Sequence, residues 1–215
     1  MARALARQLT PRQRPPAAWD RQPYWTLSGV DDGFDDPAGR SFIRAWDKNE
    51  NNLMLNGYNG VWTFDHDDCS QFVQDSDNFM IFGGCKNYVG DTKNCSSNVI
   101  LYPGLSGRSS GERKCQTDDN GVFANQYHKN NYCATHDGDF YSFSKCTTTN
   151  LATSVYVTQN NTLVSDEGAS FSQNCGQPLT FAEWQALGQD AGSRVGVTPS
   201  VEELIAIGAA KVLVK

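Results

Sequence analysis

Between residues 50 and 170 the apolar positions come in short packets, each led by an Asn and closed by a Gly. The clearest are Asn52-Leu53-Met54-Leu55-Asn56-Gly57, Asn78-Phe79-Met80-Ile81-Phe82-Gly83 and Asn98-Val99-Ile100-Leu101-Tyr102-Pro103-Gly104. Two looser copies follow, Asn131-Tyr132-Cys133-Ala134 running to Gly138 and Asn161-Thr162-Leu163-Val164 running to Gly168. The leading Asn residues are separated by 26, 20, 33 and 30 positions. Self-similarity in this range marks stacked repeats, each too short to bury a face except against its neighbours. The i, i+3, i+4, i+7 pattern of a helical repeat is missing from this stretch, so the packets predict strands. The fold class expected is all-β, a parallel β-helix. Asn suits the bend before each strand, since it tolerates left-handed backbone angles and its amides can pair along a column. Uneven steps predict loops of different lengths extruded from the turns.

Other strands are predicted at Ser41–Trp46, Gly60–Phe64, Gly121–Ala124, Asp139–Phe143 and Ser154–Val157. Alternation would place Trp62 and Phe64 inside and Thr63, Asp65 and Asp67 outside. The Gly- and Ser-rich stretch 105–120, with Arg108, Arg113 and Lys114, is expected to be a long loop. Near the end the period changes. Thr180 and Glu183 have capping-box spacing and Gly188 is a stop, which predicts a helix over 181–187. Ser200 and Glu203 repeat the device. Val201, Leu204, Ile205, Gly208 and Val212 then form one stripe of a helix over 201–213, suited to covering the last rung. The chain divides into a lead-in over 1–22 rich in Arg, Gln and Pro, rungs over 23–178, and a capping segment over 179–215 with two short helices.

Composition narrows the function. The 215 residues suit one domain and are only 39% hydrophobic, in keeping with a turn-rich β protein. A net charge of −6 leaves no basic stripe for nucleic acid. No segment reaches the length of a membrane span, and the polar face of the last helix, with Glu202 and Glu203, does not suit an anionic lipid surface. A monomer is expected. Seven Cys without a C-x-x-C pair (Cys69, Cys85, Cys95, Cys115, Cys133, Cys146, Cys175) point to disulfides in an oxidising compartment, with one thiol left over. Sequons at Asn94-Cys95-Ser96 and Asn160-Asn161-Thr162 are compatible with an extracellular glycoprotein. The N-terminus lacks an apolar run of signal-peptide length, so either export is unconventional or the sequence begins inside a longer secreted protein; the second is expected, since no N-terminal solenoid cap is visible.

The densest candidate chemistry is Asp65-His66-Asp67-Asp68, followed one rung later by Lys86, Asp91 and Lys93. Stacking brings residues 20 to 26 positions apart to about 5 Å, the spacing of hydrogen-bonded strands. Paired carboxylates there could act as general acid and base or as nucleophile in glycoside hydrolysis. Alternatively they could hold a Ca²⁺ that binds a uronate, while Lys93 or Lys86 removes a proton in a lyase reaction. The plain alternative is that these are corner residues, chosen for backbone reasons. A second group comprises Asp118, Asp119, His128 and Lys129, with His136 and Asp137 at the next turn. Asp91, Asp119 and His128 are the candidate substrate contacts. His128 and His136 have no third ligand at fixed spacing, so no metal site is assigned to them.

Asn59-Gly60-Val61-Trp62-Thr63-Phe64-Asp65-His66-Asp67-Asp68-Cys69-Ser70, then Gly83-Gly84-Cys85-Lys86-Asn87, and the closing segment Leu179 to Ser193 with Trp184, Gln185, Gly188 and Asp190, carry a resemblance. The chain resembles right-handed parallel β-helix repeat proteins of the pectate-lyase-like superfamily, over roughly residues 23–213. The resemblance implies a right-handed coil. It also implies a secreted protein that binds or cleaves a polysaccharide, as lyase, epimerase or glycosidase; the alternative is a non-catalytic extracellular binding or structural solenoid.

Overall fold

The computed structural model describes residues 47–55, 62–66, 71–88, 91–104, 114–119, 126–143, 146–153 and 156–213. The expectations for 1–46, for Asp67, Asp68 and Cys69, for the loop over 105–113 with Arg108 and Arg113, and for the strand at 121–124 lie outside these residues. The described chain is mainly β. Its strands are β1 (Asp47–Glu50), β2 (Leu53–Leu55), β3 (Trp62–His66), β4 (Gln71–Ser76), β5 (Phe79–Ile81), β6 (Gly84–Tyr88), β7 (Asp91–Ser96), β8 (Val99–Leu101) and β9 (Gln116–Asp119). They continue as β10 (Gln126–Lys129), β11 (Tyr132–Thr135), β12 (Tyr141–Phe143), β13 (Tyr156–Gln159), β14 (Thr162–Ser165), β15 (Gln173–Asn174), β16 (Pro178–Leu179) and β17 (Arg194–Val197). Three helices, α1 (Thr148–Thr153), α2 (Phe181–Ala186) and α3 (Val201–Val212), complete it.

The strands sort by threes. A first sheet has the order β1-β4-β7-β10-β13, a second β17-β14-β11-β8-β5-β2 and a third β12-β9-β6-β3. Neighbours within each of these sheets are parallel. From β1 to β14 the chain therefore visits the three sheets in rotation and returns to each one strand further along; β15 and β16 then pair antiparallel with each other before β17 rejoins the second sheet. The second sheet runs on to β17, inside the segment assigned from sequence to the cap.

An Asn stands at each passage from the first sheet to the second. The main-chain N–H of Asn52 donates to Oδ1 of Asn78 at 3.0 Å, that of Asn98 to Oδ1 of Asn131 at 2.8 Å, and that of Asn131 to Oδ1 of Asn161 at 2.9 Å. Ser193 ends the column, its hydroxyl accepting from the Asn161 N–H at 2.7 Å. Each internal Asn also sends its amide back to a first-sheet carbonyl, as Asn98 Nδ2 does to Asp75 O and Asn131 Nδ2 to Cys95 O. The residue before each Asn is left-handed: Asn51, Asp77, Ser97, Asn130 and Asn160 have φ between 54° and 61°. Such angles cost an L-residue roughly 1–2 kcal/mol, which the buried ladder bonds offset.

Inward residues of the second sheet, Met54, Met80, Ile100, Cys133, Leu163 and Val195, join the main core with Phe64, Tyr141, Phe143 and Trp184. Its outer face is apolar too. Phe79, Val99, Leu101, Ala134 and Val164 lie under Leu204, Ile207 and Val212 of α3. Burial on both faces is why these strands read as unbroken apolar triplets. Gly208 brings α3 down onto the sheet, since a Cβ there would collide with the Phe79 ring. Three disulfides, Cys85–Cys95, Cys115–Cys133 and Cys146–Cys175, tie the coils internally.

The closing segment owes its residue types to one buried carboxylate. Asp190 accepts from Trp184 Nε1 at 2.9 Å, Tyr141 Oη at 3.2 Å, Asn161 Nδ2 at 3.0 Å and Ser193 Oγ at 2.6 Å. Buried and fully bonded, it locks α2 to the last coil. The capping box of Thr180 and Glu183 starts α2, and burial-free hydrogen bonds from Thr180 hold the Glu183 carboxyl below its ordinary range.

Three local expectations change. Residues 116–119, expected in a loop, form β9 in the third sheet. Of the strand expected at 154–157, residues 154 and 155 lie outside the described residues, Tyr156 and Val157 belong to β13, and the sequence predicts no helix at α1. Trp62 and Phe64 do not share a face, because a bulge makes Trp62 pair with Gly84 and Phe64 with the adjacent Cys85. Phe64 enters the core while Trp62 lies beside Lys86, whose Nζ is 4.5 Å from the ring centroid.

Candidate functional site

The residues singled out by sequence separate onto two sides of the sheets. On β3 and β6 of the third sheet, Asp65 and Lys86 are partners in register, and Lys86 Nζ meets Asp65 Oδ1 at 2.8 Å. Lys86 is clasped between the Trp62 and Tyr88 rings. The next residue, His66, turns inward, and its Nε2 bonds Asp75 Oδ2 of the first sheet at 2.6 Å.

Lys93 faces inward as well. Its Nζ donates to the carbonyls of His66 at 2.9 Å and Tyr88 at 3.0 Å, and the residue is only 1% exposed. An ammonium held in this way joins β7 to the third sheet; it is not presented to a polymer outside. His128, expected at a binding surface, is also 1% exposed. Its ring meets Tyr141 edge-on, and burial pulls its pKa down to about 3, so it is neutral. Asp91 and Asp119 belong by backbone to β7 and β9. The cluster expected on one face is therefore divided: Asp65 and Lys86 face out and His66, Lys93 and His128 face in.

Sequence reasoning passed over the outer face of the first sheet. Alternation that turns Lys93, Cys95 and His128 inward turns Asn94, Ser96, Tyr127 and Lys129 outward. These four and Asn130 line an open groove of about 310 Å³ between β7 and β10. Lys129 Nζ lies 4.5 Å from the centroid of the Tyr127 ring. Gln74 of β4 is in register with Asn94, and Gln159 of β13 with Lys129, so amides continue the strip to either side. In the sequence Lys129 stands out only as the neighbour of His128, from which alternation separates it.

A second outer cluster sits where the second sheet ends. His136 Nδ1 meets Asp166 Oδ2 at 2.5 Å, and Tyr102 Oη donates to the other oxygen, Oδ1, at 3.0 Å. The Tyr102 and His136 rings stack at 4.6 Å. Partial burial, then the Asp166 carboxylate, push the Tyr102 phenol up to about 12, so it remains a donor. This group fastens three successive coils at one corner.

Among the described residues no three His, Cys, Asp or Glu side chains gather as a metal site. Comparison of the chain with protein-family models, with curated proteins and with solved structures gives no match.

Proposed function

We propose that the chain is a right-handed parallel β-helix belonging to a secreted protein, and that it binds a glycan along the outer face of its first sheet. The fold reading is supported by the rotation of the chain through three parallel sheets and by the Asn column along them. Three disulfides support an oxidising compartment. Among the described residues no helix is long and apolar enough to cross a membrane.

The observation that carries the function is the groove between β7 and β10. Amides from Asn94 and Asn130 and the Ser96 hydroxyl offer paired donors and acceptors to sugar hydroxyls. Tyr127 supplies a ring for the C–H face of a pyranose, and Lys129 a cation for a carboxylate or sulfate on it. Neighbouring strands are about 4.8 Å apart, close to the length of one sugar unit, so a linear polymer along the strip would meet one outward pair per coil.

Binding is favoured over cleavage. Glycoside hydrolysis needs two carboxyl groups flanking the bond. The groove is lined by no carboxylate among the described residues. Of the candidate catalytic groups, Asp65 is engaged by Lys86, and Lys93 is inside. A glycan array followed by reducing-end and unsaturated-product assays tests this: the expected result is retention of a charged polysaccharide without turnover. Failure to bind any glycan would refute the reading, and turnover would restore the cleaving one.

A further inference from the structure

Five left-handed corner residues precede the Asn column, and one of them stands in a sequon. Asn160 (φ 54°) begins Asn160-Asn161-Thr162, whereas Asn51, Asp77, Ser97 and Asn130 begin no such triplet. Asn160 is exposed at the end of β13, and its Oδ1 lies over Gly192, where the absence of a Cβ makes room for it. Its neighbour Asn161 is 1% exposed and committed to the ladder, so the modifiable amide of the triplet is the one at the corner.

The other sequon has the opposite setting. Asn94-Cys95-Ser96 lies within β7, Cys95 is buried in a disulfide with Cys85, and Asn94 and Ser96 line the groove beside Tyr127. A glycan there would fill the groove.

We propose that Asn160 is a site of N-linked glycosylation and that Asn94 is left bare. This rests on the secreted reading given above. An oligosaccharide passes from a lipid-linked diphosphate donor to Nδ2 of Asn160. The bond between sugar C1 and the diphosphate oxygen breaks, the diphosphate leaves with its electron pair, C1 bonds to the nitrogen, and the amide gives up one proton. The carbohydrate would stand at the corner between the first and second sheets, one coil beyond the groove-lining Asn130.

The test is secretion of the full chain from a eukaryotic host, enzymatic release of N-glycans in heavy-oxygen water, and peptide mapping. The expected result is the heavy label at Asn160 alone. Thr162→Ala and Asn160→Asp should each abolish it and Thr162→Ser should keep it; Asp tolerates the left-handed corner, so the second variant guards against a folding defect in the first. A parallel map without reductant reports independently whether the chain pairs its cysteines as the fold requires. Intact Cys85–Cys95, Cys115–Cys133 and Cys146–Cys175 pairs with an unlabelled Asn160, or with the label on Asn94, would overturn the proposal. Free thiols throughout would overturn it together with the secreted reading.

Discussion

Asn78 gives both its main-chain N–H and its side-chain amide to one acceptor, Oδ1 of Asn98, at 2.9 and 3.1 Å. Both residues are completely buried, so neither bond can be replaced by water. Asn98→Ala would strand two donors of Asn78 and the Asp75 carbonyl at once. At about 1–3 kcal/mol for each unsatisfied buried group, with partial relaxation, the expected loss of stability is about 3 kcal/mol. Denaturant unfolding measures it. A loss under about 1 kcal/mol would mean the ladder contributes little.

The cap makes a steric prediction. Gly208→Ala places a methyl against the Phe79 ring and should destabilise the chain by about 1–3 kcal/mol, loosening α3 first. Combining it with Phe79→Leu should recover part of that cost, because the two residues share one contact. Hydrogen exchange across 201–212 is the readout, and equal protection in wild type and G208A would count against this packing.

His128 makes a pH prediction. Burial lowers its pKa from 6.5 to about 3, so the neutral ring's contribution is complete above pH 6.5 and drains away as pH falls toward 3. One proton taken up on unfolding corresponds to a slope of up to about 1.4 kcal/mol per pH unit. The unfolding midpoint of wild type should drop across this window more steeply than that of His128→Gln. Parallel curves would show that the ring is not buried as described.

Much of this arrangement was legible in the chain. The Asn residues at 52, 78, 98, 131 and 161 announced the stacking, because a buried side chain that must accept from the preceding coil's N–H and cap a first-sheet carbonyl leaves few residue types to choose from, while the left-handed angle expected of them falls on the residue before each. The same register could have been carried further: His136 and Asp166 each stand five residues after a ladder Asn, which is why they meet. Facing was harder to see. One bulge between Trp62 and Phe64 reverses the expected side of Trp62, and no composition signal marks it. His128 and Lys129 looked like one site because they adjoin in sequence, while a strand sends neighbours to opposite faces. The closing segment from Leu179 to Ser193, the most specific part of the resemblance, is explained by packing around Asp190 and not by chemistry on a substrate.

The most direct test compares two single variants against whichever polysaccharide the array retains. Tyr127→Ala removes the ring from the groove, while Asp65→Asn weakens the ion pair with Lys86 on the third sheet. By calorimetric titration the account predicts that Tyr127→Ala weakens binding at least about tenfold, some 1.4 kcal/mol, with the unfolding midpoint unchanged, and that Asp65→Asn binds as wild type does. Unchanged affinity in Tyr127→Ala together with loss in Asp65→Asn would contradict it and move the site to the third sheet.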